Sequence, residues 1–320
     1  MKNIKSKVIV ALVVLIIIFG GILTIINLNR QQETITEIKN TPVTTKVSII
    51  TPNGAPALAI AGLIEDPNIE VDYEIVDGAD VLTSEFTKAE KDLIIAPVNL
   101  GNKLISNGAE YKMLGVVSWG NLYIVASDAY FNKVAAFGEA QVPGKILNYV
   151  SKNIDDLEFE YFNSVGEVSS MLLSGEYKAA LLAEPVLTMA NAKFKESNDG
   201  KELNIIYNLQ NIYKEVSGFE SYPQAALFVK KDAIQNHQES ILNVVNKMRS
   251  SIANYNNNPS AILELKNVNF EELGFKNVEL ISKAYPKMAL NFVYANECVD
   301  EIKNFLSIFN MELKDTNYIK

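Results

Sequence analysis

Residue types able to carry covalent or metal chemistry are scarce in this chain: Cys298 is its single cysteine and His237 its single histidine. One thiol permits no intrachain disulfide and no cysteine-rich metal site. His237 lies in the polar run Gln235-Asn236-His237-Gln238-Glu239, where a solvated imidazole is expected and not a ligand or base. No Ser-His-Asp arrangement, P-loop or dinucleotide fingerprint occurs. No catalytic residue, metal site or cofactor is therefore expected. The polar and aromatic candidates stand instead in loops that follow short apolar runs. Asn53, Gly54 and Ala55 follow Val47–Ile50, Asp77 follows Val71–Val76, and Val98 and Asn99 follow Leu93–Ala96. Trp119 and Asn121 lie in the tetrapeptide joining two apolar runs. Further along, Gly138 and Gln141 follow Val134–Phe137, Ser164 follows Phe159–Phe162, and Glu184 follows Ala179–Ala183. Tyr222 and Gln224 stand at the start of the run that ends at Val229. A strand entering a tight loop at a helix N-terminus is where open α/β sheets hold ligands.

The elements that position these residues read as alternating strands and helices. Leu93-Ile94-Ile95-Ala96 has the character of a strand buried on both faces. Asn99 stands where an N-cap belongs, ahead of a helix spaced by Leu100, Leu104 and Ile105. A strand at Val47–Ile50 leads through Pro56, suited to a first helical position, into a helix over Ala57–Ile64. Val71–Val76 precedes a helix over Val81–Phe86, and the β-α-β-α repeat implies a parallel sheet covered by helices. After Ser127 a second, smaller α/β set runs to Tyr207, with Ser164 placed to cap Val165–Leu173. Gln224–Val229 returns to the first set, so crossings are expected near Ser127–Ala129 and Ser221–Gln224, and two adjacent crossings make a hinge. The C-terminal part reads as helical. Ile241, Val244, Val245, Met248 and Ile252 form one apolar stripe, and Val299, Ile302, Phe305, Leu306 and Phe309 another. Trp119 reads equally as a plug at a domain edge or as a ligand platform. Glu184, a carboxylate in a helix's first turn, reads as a cap or as a ligand group.

Val8–Leu28 carries no charge, follows Lys2, Lys5 and Lys7, and is long enough to cross a bilayer. It ends without a small-residue cleavage site and no cysteine follows it for lipid attachment. An uncleaved signal anchor over residues 1–30 is expected in preference to a cleaved signal peptide, with the lysines cytoplasmic and the body outside. Residues 31–45 read as a polar tether. The remaining stretch of about 275 residues calls for two lobes, one of 46–127 plus 222–320 and one of 128–221. Four of the 29 bases and none of the 38 acids fall in the first 30 residues, so the remainder carries 25 bases against 38 acids, a net of −13. That balance argues against nucleic acid.

Four segments resemble the solute-binding proteins of nitrate/sulfonate/taurine-type ABC importers, a family that includes binders of thiamine pyrimidine precursors. They are DLIIAPVNLGNKL (92–104), YKMLGVVSWGNLYIV (111–125), LLSGEYKAALLAEPVLTMA (172–190) and YPQAALFV (222–229), within a diffuse likeness from about Val47 to Phe309. The resemblance implies an α/β, two-lobed, periplasmic-binding-protein type II-like fold with two hinge crossings, to which the sequence adds one N-terminal transmembrane helix. It also implies that the loop residues named above converge on one cleft for a small-molecule solute. The expected function is that of a membrane-anchored, monomeric extracytoplasmic binding component that delivers its solute to an ABC permease with a cytoplasmic ATPase. The rival is an enzyme on the same two-lobed fold, making thiamine-pyrimidine or menaquinone precursors. A sensor ectodomain is disfavoured, because only about seven residues precede the membrane segment. The only arginines, Arg30 and Arg249, lie in no cleft loop, so no guanidinium fork serves a sulfonate or phosphate. Backbone amides would still suit a nitrate-like anion. A planar heterocycle on Trp119 or Tyr222, with an amino group near Glu184 or Asp77, suits the inventory at least as well.

Overall fold

The computed structural model describes residues 46–154 and 157–320. The expected membrane segment Val8–Leu28 and the tether 31–45 lie outside the described residues. Among the described residues no helix is long and apolar enough to cross a membrane.

Two sheets carry the fold. The first contains β1 (Val47–Pro52), β2 (Val71–Val76), β3 (Leu93–Pro97), β4 (Tyr111–Trp119), β10 (Pro223–Lys230) and β11 (Leu290–Tyr294), in the order β11-β4-β10-β3-β1-β2. The second contains β5 (Leu122–Ala126), β6 (Lys133–Phe137), β7 (Glu158–Phe162), β8 (Ala179–Ala183) and β9 (Asn204–Asn208), in the order β7-β6-β8-β5-β9. β1, β2 and β3 run parallel, while β10 runs antiparallel to both β3 and β4. In the second sheet β6, β7 and β8 run parallel and β5 pairs antiparallel with β8 and β9.

Three expectations are corrected here. β5 belongs to the second sheet, so the first crossing lies at Gly120-Asn121 and not at Ser127–Ala129. The stretch read as one helix over Ala57–Ile64 forms two short helices, Ala55–Leu58 and Ala61–Glu65. Turn bonds from Ala59 N–H to Pro56 O (3.1 Å) and from Ile60 N–H to Ala57 O (3.2 Å) tighten the chain between them. The C-terminal part is not wholly helical: β11 pairs with β4 along an edge, its Leu290 and Phe292 buried and Asn291 exposed.

Strand alternation divides the core into layers, because successive side chains leave a strand on opposite faces. Leu93 and Ile95 enter the cluster under the helix Gln238–Asn257, where Ile241, Val244, Val245, Met248 and Ile252 are buried as their spacing predicts. Ile94 and Ala96 enter a second cluster with Ile302, Phe305 and Leu306 of the helix Val299–Ser307. This second cluster is shared: it continues into the second sheet through Ile124, Val134 and Ile146. A run of rings spans the join, with centroids 5.6 Å apart for Tyr149–Tyr213, 5.2 Å for Tyr213–Tyr222 and 6.3 Å for Tyr222–Phe305. A third cluster, including Val168, Leu172 and Leu187, covers the other face of the second sheet.

Close packing is sharpest at Gly101, where an added Cβ would stand 2.1 Å from Phe228 Cζ. Phe228 is itself fully buried and held edge-on by Phe86, with ring centroids 5.2 Å apart, so the ring has no room to yield. Gly101→Ala is expected to lower unfolding stability by about 1–3 kcal/mol. Denaturant unfolding of the full-length protein checks this, and an unchanged midpoint would mean that the ring moves freely.

Candidate functional site

β1, β2, β3 and β4 all end at one edge of the first sheet, a consequence of their parallel or doubly antiparallel relation. β6, β7, β8 and β9 likewise end together. Only Gly120 and Asn121 separate the end of β4 from the start of β5, so the carboxyl ends of the two sheets meet at this crossing. The second crossing follows the helix Leu209–Ser217 and enters β10 through Gly218–Tyr222.

Hydrogen bonds tie the crossings together. Gln210 Oε1 accepts from Leu122 N–H (2.9 Å) and from the Tyr222 hydroxyl (3.1 Å), and Gln210 Nε2 donates to Asn208 Oδ1 (2.9 Å). Gly120 N–H donates to Ser221 Oγ at 3.0 Å. Asn121 Nδ2 donates to the Glu184 carbonyl and Glu184 N–H to the Asn121 carbonyl, both at 3.2 Å. Sequence reasoning missed Gln210. Its only neighbourhood signal is Asn208 two residues earlier, which reads as a helix cap and accepts from Gln210 and Asn211 N–H.

The expected residues divide by what they touch. Asn53 Nδ2 donates to Asp77 Oδ1 across two exposed loops. Gly54, at φ 84, donates its N–H to Leu273 O at 3.0 Å, so the loop around Gly274 backs this turn. Ala55 and Val98 are buried, and their side chains belong to the core. Across the crossing, Gly138 turns the chain at φ 64. Gln141 is exposed at the N-cap of the helix Val142–Val150. Ser164 accepts from Glu167 N–H at 3.2 Å, capping Val165–Ser174 as expected. Asn99 Oδ1, Asn121 Oδ1 and Gln224 Oε1 are buried with no hydrogen-bond partner. Tyr222 is the clearest departure: fully buried, its ring packs between Tyr213 and Phe305 and leaves no face for a ligand.

Trp119 also turns away from the others. Its indole N–H donates to the Asn291 carbonyl at 2.9 Å, fastening it to edge strand β11. The ring lines a cavity of about 570 Å³ with Ser221, Asn256, Glu297, Cys298 and Glu301, and none of the other expected site residues line it. Cys298 is buried, and that burial pushes its thiol up to about 12, which keeps it protonated and inert.

Among the described residues, Glu184 is the one carboxylate sealed into the junction, 2 % exposed. Its oxygens accept from Thr188 N–H (3.1 Å) and Thr188 Oγ1 (2.9 Å). Lys287 Nζ, on the 3-10 turn Tyr285–Lys287 of the other sheet's body, stands 3.9 Å away. Burial pushes the carboxyl above its usual range, and the Thr188 bonds and Lys287 offset this in part.

No family model and no curated protein matches the sequence. The structure is similar to an ABC transporter protein from Parabacteroides distasonis, with 20% identity and a TM-score of 0.74 over 86% of this chain and 99% of that one. It is also similar to the periplasmic aliphatic sulphonate binding protein SsuA from Escherichia coli (10% identity, TM-score 0.64, 88% and 92% covered). A third likeness is to the alkanesulfonate-binding protein SsuA from Xanthomonas axonopodis pv. citri bound to MOPS (11% identity, TM-score 0.57, 83% and 92% covered). The fold is thus the two-lobed α/β fold of substrate-binding proteins of ABC importers.

Two expectations follow from the junction. A carboxyl raised in the folded state contributes stability that is present below its unfolded value of about 4.5 and is lost as pH rises through the folded value. The unfolding midpoint of Glu184→Gln relative to the unsubstituted protein should therefore climb from pH 4.5 upward and level off once Glu184 is ionised; a pH-independent difference would contradict this. Trp119→Phe loses the bond to Asn291 and some ring volume, and should cost about 1–2 kcal/mol in thermal melting. A melting point left unchanged would show that the indole is not a structural fastener.

Proposed function

We propose that this chain is a membrane-anchored extracytoplasmic binding component of an ABC importer. It captures a small solute between two lobes, one built on β1–β4, β10 and β11 and the other on β5–β9, and hands it to a permease whose cytoplasmic ATPase supplies the energy. The lobes move about Gly120-Asn121 and Gly218–Tyr222. The closed form alone touches the solute from both sides, so the solute favours closure by the affinity it gains there. The protein acts as a monomer, held to the membrane by Val8–Leu28 and lifted from it by residues 31–45.

The observation that carries this reading is the meeting of two sets of strand ends at one crossing, lined by amide and carboxylate groups. The fold likeness to importer binding components adds support. Binding is favoured over the enzymatic alternative by the placement of the nucleophile and base candidates. Cys298 is buried beside Trp119 with its thiol pushed up to about 12, and His237 follows the opposite end of β10, at the start of the helix Gln238–Asn257.

In intact cells, protease added outside should digest the body beyond Arg30, while the chain stays membrane-associated at high salt and co-purifies with an integral permease and its ATPase. Recovery of the full-length chain from the cytosol would overturn the reading.

A further inference from the structure

We infer that the solute held at this junction is a neutral or cationic N–H donor, such as an amide, urea, amidine or amine, and not an oxyanion, with Asn121 the residue that selects it. The inference rests on the binding reading above and deepens it.

Asn121 is 2 % exposed and lies inside the crossing itself. Its Nδ2 donates to the Glu184 carbonyl at 3.2 Å, which fixes the amide plane and turns Oδ1 the other way, where it has no partner. A flip would set oxygen against oxygen, so this acceptor is not interchangeable with a donor. Asn99 Oδ1 and Gln224 Oε1 are likewise buried and unpartnered; Gln224 lies between Pro223, which pairs with Trp119, and Ala225, which pairs with Pro97, the residue before the helix that carries Asn99. A buried acceptor without a partner is costly. A solute N–H relieves that cost, whereas an oxyanion has only lone pairs to present.

Some of the places where an anion is ordinarily held are already filled, although the helix N-termini at Ala79, Val98 and Val142 carry no side-chain cap. Helix N-termini attract anions through their free amides. At three of those facing the junction the protein's own side chains take these amides: Ser164 accepts from Glu167, Asn208 from Gln210 and Asn211, and the Glu184 carboxylate from Thr188. The last of these is an anion in its own right. Arg249, the only arginine among the described residues, is committed elsewhere, its guanidinium 4.8 Å from the Tyr294 ring centroid and 5.9 Å from that of Phe292. Lys287 is opposed by Glu184 at 3.9 Å, and Asp77 adds a further acid on the exposed loop after β2.

The test uses the full-length protein purified in detergent. Calorimetry compares matched pairs, acetamidine with methanesulfonate and benzamidine with benzenesulfonate, together with nitrate. In parallel, the protein is incubated with a cell extract, washed and acid-denatured, and any released solute is identified by mass. In each pair the amidine should bind at least about tenfold more tightly, and Asn121→Leu should bring the pair to within about twofold. The released solute should carry N–H donors and no sulfonate, phosphonate or nitrate group. Should Asn121→Leu not fold, Asn99→Leu serves in its place, because no internal bond to its side chain is lost, and it should narrow the preference in the same direction. Tighter sulfonate or nitrate binding, release of an oxyanion, or a preference untouched by both variants overturns the ligand class and leaves the binding reading standing. No probe bound and no solute released overturns both.

Discussion

The side chain of Gln210 is the point on which the two halves of the molecule depend. Its oxygen holds the first residue of β5 and the hydroxyl that precedes β10, one from each crossing, and its nitrogen returns to the cap of its own helix. Both crossings are thus bound to one buried amide. Beside it, the rings of Tyr213, Tyr222 and Phe305 continue the core from one sheet into the other. Packed cores deform poorly, so this side of the junction acts as a stiff spine. Lys287, borne on the turn that buries Tyr285 and Met288 against the other face of the first sheet, stands 3.9 Å from Glu184.

The junction combines two kinds of polar group. Gln210, Asn208 and Ser164 have their bonds satisfied within the protein and fix geometry. The oxygens of Asn99, Asn121 and Gln224 do not, and they lie where the strand ends meet. Buried polar groups are nearly always partnered in folded proteins; the further exception among the described residues is the Tyr285 hydroxyl, in the core cluster on the other face of the first sheet. Glu184 belongs to both kinds, since it caps a helix and also brings an ionisable group into a nearly closed space.

Much of the scaffold was legible because its signals are local. β3 and β4 are continuous apolar runs, since both faces are covered. The long C-terminal helix shows its buried stripe at helical spacing, and the Ser164 cap is visible as a serine ahead of an apolar run. What was not legible depends on contacts distant in the chain. β5 looks like a continuation of the first sheet, and only pairing with β8 and β9 assigns it to the second. Tyr222 looks like an aromatic at a loop, but Tyr213 and Phe305 close over it. Gln210 resembles any polar residue on a helix, and β11 is a five-residue strand behind a left-handed turn at Ala289. Among the site residues, Asn121 and Gln224 do stand at strand ends, but Asn99 is the second residue of the helix Val98–Ser106, whose N-cap is Pro97 and not Asn99 as expected; nothing in the local pattern tells which amides are left unpaired.

The four sheet edges differ in how well they resist pairing with a foreign strand. β2 offers Asp72 and Glu74, engaged by Lys46 and Lys91, and β7 offers Glu158 and Glu160. Charges so placed deter edge-to-edge aggregation. β11 is short, its register slips between Leu290 and Val293, and Arg249 sits over its two aromatic rings. β9 has no such guard. Its sequence is Asn-Ile-Ile-Tyr-Asn, with Ile205 46% and Ile206 38% exposed. Self-association of the folded chain at high concentration would therefore begin along β9, and a single lysine on that strand is the economical way to suppress it.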